Sequence, residues 1–460
     1  MKRVVFIIGF FIILIPCIWL FVYKYEGEKP VVDISNPCVY FKKSYKMSLN
    51  VRDNKTGLRY IMVSIEQKNK DKVNKKILIE KQYKIFGLLD LFSSANIVND
   101  SFSITVQPLQ YGMTDGEAVI KIVVSDASLR GWNKGNVLNI EKKVIIDSKP
   151  PEISILTQTH NIAKGGASLI IYELFEDNIK TGIKVGDNFF PGRPGLFKNN
   201  NIYTAFFALT DVQGTGTKLV VTAQDAAGNI TKKGFYHYIR DKKFKTDTLN
   251  IQDSFLSKKM PDFDVREKND SFQGKNQLLE KFLYVNKTVR KNNVDEILKV
   301  CENSENKKYW DGRFLRLSGS AQQAGFADRR IYKYKGKKID RATHLGIDLA
   351  STSNVSIQAA NRGRIILADS VGIFGKSVII DHGFGVCSLY SHLSHIAVSK
   401  GNIVQKGDKI GVSGITGLAG GDHLHFSMIV HNVFVNPVEW WDKTWIQNNI
   451  ISKIDSLSLD

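Results

Sequence analysis

The sequence predicts a mainly β chain: two tandem β-sandwich domains, a short helical linker and a C-terminal glycine-rich antiparallel β domain. Three observations predict it. Short alternating runs such as AVIKIVVSDAS and KLVVTAQDAAGN recur between Gly, Asn and Asp turns from about Val31 to Ile239. A helical rhythm enters in NQLLEKFLYVNKTVRKNNVDEILKVCEN, through Leu278, Leu279, Phe282, Val285, Val294, Ile297, Leu298 and Val300. From about Asp311 short strands return with dense glycine. The chain of 460 residues has room for about three domains. Its hydrophobic fraction of 43% suffices for real cores and argues against wholesale disorder.

The elements follow in order. After Lys2 and Arg3, the run VVFIIGFFIILIPCIWLFVY from Val4 to Tyr23 carries no charge and has the length of a membrane-crossing helix. A cleaved signal peptide would have a shorter apolar core and a small-residue exit, whereas this exit reads KYEGEKP. The expectation is therefore an uncleaved signal anchor. The basic end would lie in the cytoplasm and the rest in the periplasm or otherwise outside the cytoplasmic membrane, in a bacterial cell envelope.

Asp126 and Asp225 each end an alternating strand 99 residues apart, and IIDSKPPEISI falls between them with Pro150 and Pro151 barring helix. About 100 residues of short strands suits a sandwich. DSKPPEISI and VTAQDAAGNITKK resemble the boundaries of bacterial immunoglobulin-like domains. The expected boundaries are 1–30 for the cytoplasmic tip and anchor, 31–148 and 149–240 for the sandwiches, and 241–310 for the linker. The last domain takes 311–443 and a tail takes 444–460. Cys38, Cys301 and Cys387 are too few and too scattered for a disulfide framework, and no Cys-x-x-Cys offers a thiolate zinc site.

Charge narrows the partners. Lys+Arg number 64 against 45 Asp+Glu, a formal +19 that favours polyanionic surroundings. The basic residues are scattered rather than blocked, so no nucleic-acid tail is expected.

Seven of the nine histidines fall between His344 and His431. THLGIDLA supplies His344 and Asp348 on one loop, LYSHLSHI supplies His392, and GDHLHF supplies His423 and His425 on alternate positions of an expected strand. A catalytic zinc takes three ligands from His, Asp or Glu and keeps a fourth position open.

HLGID, SLYSHLS and GDHLHF, in this order, resemble the signatures of the lysostaphin/LytM-type zinc peptidases, peptidoglycan endopeptidases of glycine-rich antiparallel β fold. FADRRIYKYKGK, IIDHGFGVCSLYSHLS, IVQKGDKIGVSGITG and VNPVEWW agree, over roughly residues 311–442. The resemblance implies one Zn2+ on His344, Asp348 and His425, with His392 and His423 as catalytic histidines beside it. It implies hydrolysis of peptidoglycan cross-links by metal-activated water, without a covalent intermediate. The alternatives are a non-enzymatic regulator of other wall hydrolases and a peptidase of non-wall proteins. The sequence identifies neither the bond cut nor a regulatory protein partner.

Overall fold

The computed structural model describes residues 2–35, 37–69, 72–84, 96–176, 179–265, 272, 274 and 276–458. They form two compact units, Met1–Pro150 with Gln224–Asn229, and Pro151–Ala223 with Ile230–Asp460.

The first unit opens with helix α1 (Lys2–Lys24). The membrane anchor expected here, and with it the single-pass localisation and the membrane partner, is corrected: among the described residues no helix is long and apolar enough to cross a membrane. Pro16 lies inside α1.

Eight strands follow: β1 (Val31–Ser35), β2 (Tyr40–Phe41), β3 (Tyr45–Arg52), β4 (Leu58–Asn69), β5 (Lys72–Gln82), β6 (Asn99–Val106), β7 (Gly116–Asp126) and β8 (Val137–Ile146). The single turn α2 (Arg130–Asn133) joins the last two. They make a sheet β1-β3-β6 and a sheet β2-β8-β7-β4-β5. The period-2 pattern places Met47, Leu49 and Val51 of β3 inward between partly exposed Ser48 and Asn50. They share one core with Ile61, Val63, Ile122 and Val144 from the other sheet.

In the second unit, β9 (Ile153–Ile155), β11 (Ala167–Leu174) and β14 (Ile202–Ala208) form one sheet. A second holds β12 (Lys180–Val185), β13 (Asn188–Pro191), β15 (Leu219–Gln224) and β16 (Ile230–Gly234). The pair β10 (Asn161–Ala163) and β17 (Tyr238–Arg240) is parallel. After β18 (Thr246–Ile251) comes the helical stretch: α3 (Asp253–Lys259), α4 (Gln277–Tyr284) and α5 (Arg290–Cys301), with a π-helical turn over Val285–Val289. Its apolar stripe buries Phe282, Val285 and Ile297.

The remaining strands are β19 (Ala321–Ala324), β20 (Arg329–Tyr334), β21 (Lys337–Thr343), β22 (Ile347–Ala350), β23 (Ser356–Gln358), β24 (Gly363–Val371) and β25 (Gly375–Asp381). Then come β26 (Val386–Leu393), β27 (His395–Ile396), β28 (Ile403–Val404), β29 (Lys409–Val412), β30 (Leu424–Val430) and β31 (Val433–Val435). An antiparallel sheet runs β19-β22-β30-β26-β25-β24-β28, with β31 on β30. The chain ends in α6 (Pro437–Trp441), α7 (Lys443–Ile446) and α8 (Ser452–Ser458). These helices close a seam with the strands of 151–223. Ala167 N donates to Glu439 Oε2 at 2.9 Å and Lys453 Nζ to Leu169 O at 2.9 Å. The Trp310 ring lies 6.3 Å from Phe206 and 5.6 Å from Trp440.

Candidate metal and catalytic centre

Strand register builds the centre. Asp348 of β22 stands opposite His425 of β30, and His425 stands opposite Ser391 of β26. Directly opposed residues of an antiparallel pair share a face, so the carboxylate and the imidazole meet, and His392 follows at the edge. Gly346 is required by close approach, since a Cβ there would meet Phe426 O at 2.6 Å and His425 Cε1 at 2.7 Å. The strand begins at Leu424, so His423 stands just before it, its N–H donating to Gly414 O.

Three donor atoms converge: His344 Nε2 to Asp348 Oδ1 at 2.9 Å, His344 Nε2 to His425 Nδ1 at 3.0 Å, and His425 Nδ1 to Asp348 Oδ1 at 2.9 Å. All three residues are buried. The His423 ring approaches from one side, its Nε2 3.6 Å from Asp348 Oδ1. The His392 ring lies 4.8 Å from His423 and 5.8 Å from His425. The structure thus gathers all five residues singled out in the sequence.

Hydrogen bonds on the far nitrogens set the tautomers, because a carbonyl only accepts. His344 Nδ1 donates to Gly325 O at 2.8 Å, His392 Nδ1 to Thr416 O at 2.9 Å and His423 Nδ1 to Gly421 O at 2.8 Å. In their neutral rings the Nε2 atoms of these three carry lone pairs. For His344 that lone pair faces a carboxylate oxygen, an arrangement only a proton or a cation between them can hold. Two imidazole nitrogens and one carboxylate oxygen are a donor set suited to a divalent metal such as zinc. Their separations lie within a few tenths of an ångström of the ~3.3 Å edge of a tetrahedral site with ~2.0–2.1 Å bonds.

Electrostatics agree. Burial pushes the Asp348 carboxyl up, but the His344 ring, foremost, and the adjoining His423 and His425 rings hold it well below the usual carboxylate range. Burial brings His425 down to about 4, and burial with the neighbouring His423 and His425 rings brings His392 well below its ordinary value. On His423 burial acts downward, and the Asp348 carboxylate reverses it to a net rise.

One contributor was missed in the sequence. Arg330 Nη2 donates to Asp348 Oδ2 at 2.7 Å, leaving Oδ1 for the cluster. The signal that could have found it is the second oxygen of a buried carboxylate ligand, which needs a donor of its own. The other histidines stay apart. His382 is buried between Arg362 O and Ser388 Oγ, His395 is exposed on β27, and His431 packs 5.9 Å from Phe190.

Comparison with known proteins matches residues 342–437 to peptidase family M23. A DD-carboxypeptidase/endopeptidase, Mpg, of Neisseria meningitidis is 39% identical over 133 residues, 28% of this chain and 31% of that protein. A peptidoglycan DD-endopeptidase, ShyB, of Vibrio cholerae is 31% identical over 138 residues, 26% of this chain and 32% of that protein. The chain thus matches less than a third of these relatives' length. A crystal structure of a putative peptidase M23 from Pseudomonas aeruginosa aligns with a TM-score of 0.39 at 17% identity, covering 61% of this chain and 95% of that one. The C-terminal part of this mainly β chain carries an M23 peptidase domain.

Proposed function

We propose that the chain is a zinc metalloendopeptidase that hydrolyses amide bonds in peptidoglycan peptide cross-links. The observation that carries it is the convergence of His344 Nε2, Asp348 Oδ1 and His425 Nδ1 beneath two further imidazoles. The names of the relatives and the +19 charge facing an anionic wall polymer support the substrate class. Residues 311–443 form the catalytic domain in this reading, preceded by β-domains at 31–148 and 149–240 and a helical linker at 241–310.

His344, Asp348 and His425 hold the metal. Bound there, zinc would supply a water of pKa about 7 and Lewis-acid polarisation of the scissile carbonyl. Arg330 fixes the Asp348 carboxylate so that a single oxygen faces the cluster. His392 and His423, with their Nδ1 protons engaged by Thr416 O and Gly421 O, present unprotonated Nε2 atoms. One such imidazole accepts the proton from attacking water and passes it to the departing amine. The other, when protonated, donates a hydrogen bond to the oxyanion. Water's oxygen bonds to the carbonyl carbon, and the C–N bond breaks as the amine leaves with the transferred proton, with no acyl-enzyme.

The test is a mass-spectrometric profile of purified peptidoglycan incubated with the zinc-loaded full chain, beside His423→Ala. New peptide termini at cross-links, absent with the variant, are expected. An unchanged wall profile with stoichiometric zinc would move the substrate to other proteins, and one without zinc would leave a regulator.

A further inference from the structure

The helical stretch before the M23 match reaches into the centre through one buried cation. Lys259, the last residue of α3, is 3% exposed, and its Nζ donates to Ile415 O at 2.5 Å and Gly417 O at 3.2 Å. Between those two acceptors lies Thr416, whose carbonyl takes the Nδ1 proton of His392 at 2.9 Å. The carbonyl that holds the imidazole thus lies between two carbonyls held by one ammonium. At the start of the segment, Gly414 O accepts the N–H of His423. The His392 ring and the backbone of His423 thus both rest on residues 414–417.

Two further contacts tie this segment to the helical stretch. Leu418 N donates to Ile373 O at 2.8 Å, while Asn293 Oδ1 of α5 accepts from Ile373 N at 3.0 Å. Gly417 sits at φ +66°, and His392 itself at φ +64°, a left-handed conformation that a non-glycine residue keeps only under constraint. A cavity of about 420 Å3 touches Thr416 and Gly417 beside Asp262, Val289 and Asn293, giving the segment space to move once released.

We infer that Lys259 is a positioning residue for the proposed hydrolysis: through the carbonyls of Ile415 and Gly417 it fixes Thr416 O, and Thr416 O aims the His392 ring. This rests on the functional reading above for its catalytic consequence, but not for its structural one. Lys259 touches none of His344, Asp348 and His425, so it governs geometry rather than metal content.

The experiment compares the full chain with Lys259→Met and Lys259→Arg, by peptide-level hydrogen exchange, zinc content and peptidoglycan cleavage. In Lys259→Met, exchange over residues 412–420 rises about tenfold or more. There kcat falls about 10- to 100-fold with KM within about twofold, zinc stays stoichiometric, and Lys259→Arg restores most of kcat. Exchange and kcat at wild-type levels overturn the inference. So does a loss of kcat that merely tracks loss of zinc. A wild-type chain that cleaves no peptidoglycan refutes the functional reading instead, and the exchange comparison still judges the clamp. If Lys259→Met does not fold, Lys259→Gln, which keeps amide donors on a shorter, uncharged side chain, carries the same comparison.

Discussion

Two buried trios of potential ligands occur among the described residues: His344, Asp348 and His425 in the second unit, and Glu26, Asp53 and Asp126 in the first. By proximity and burial they are alike. They differ in what already occupies their acceptor atoms. Asp53 Oδ1 accepts from the backbone of Lys55, Thr56 and Gly57, and Asp126 Oδ1 from Ser128 and Asn136. Glu26 Oε2 accepts from Glu28 N, and the Asn136 amide reaches both Glu26 and Asp126. These carboxylates knit loops together. In the other trio the backbone engages the far side of His344 and leaves Nε2, Nδ1 and Oδ1 turned on one another. Orientation of unsatisfied lone pairs, rather than crowding of acids, distinguishes a metal centre from a loop clamp.

The largest effect that could break this contrast is metal retention. His425→Ala should lose stoichiometric zinc by elemental analysis and at least about a thousandfold in kcat/KM. Glu26→Gln, measured alongside, should change neither, and zinc lost by both variants would erase the distinction. Next comes stability: Asp53→Ala strands three backbone donors and should destabilise the first unit by roughly 3–4 kcal/mol in chemical denaturation. Calcium or a chelator should leave that transition where it is, and a calcium-dependent shift would make the acidic trio a site after all.

Glu439 sharpens the comparison from a third direction, as a buried carboxylate with one backbone donor, Ala167 N. Burial pushes its pKa up from 4.5 to about 7, with the Ala167 hydrogen bond acting downward. The folded protein therefore binds a proton that the unfolded chain releases at lower pH. Stability from this group is full below about 4.5 and declines as pH rises through about 7, by at most roughly 3 kcal/mol. Glu439→Gln should flatten that part of the pH profile between pH 5 and 8, read as the wild-type minus variant difference in unfolding free energy. The smallest effect concerns Arg330→Met, which should weaken zinc binding about tenfold in a competitive chelator titration while stoichiometry at saturation persists. Unchanged affinity would mean that Asp348 needs no holder.

Much of the centre was legible because its chemistry is local. HLGID and DHLHF carry the three donors on short segments, and GRIILADS, KSVIIDHG and CSLYSHLS become β24, β25 and β26. What was not legible depends on long-range pairing. Arg330 reaches Asp348 only because β20 runs beside the centre, paired in parallel with β18 from the linker region. Lys259 carries no motif, and its purpose appears once α3 lies against residues 415–417. His392 departs from strand alternation through its positive φ, which no residue-type pattern announces. The hydrophobic first helix was read by composition alone, and the expected crossing of a bilayer was not sustained.

The aromatic seam around Trp310 has a practical side. Trp310, Phe314 and Trp440 are each about 1% exposed or less, packed on one another, with the Phe206 ring against Trp310. A fragment begun at Asp311 would discard Trp310 and bare the Phe314 and Trp440 rings packed on it, while Glu439 would lose Ala167. Such a fragment should clump on concentration, whereas one begun at Pro151 should stay dispersed, so the handling of the purified protein is decided by a tryptophan outside the histidine cluster.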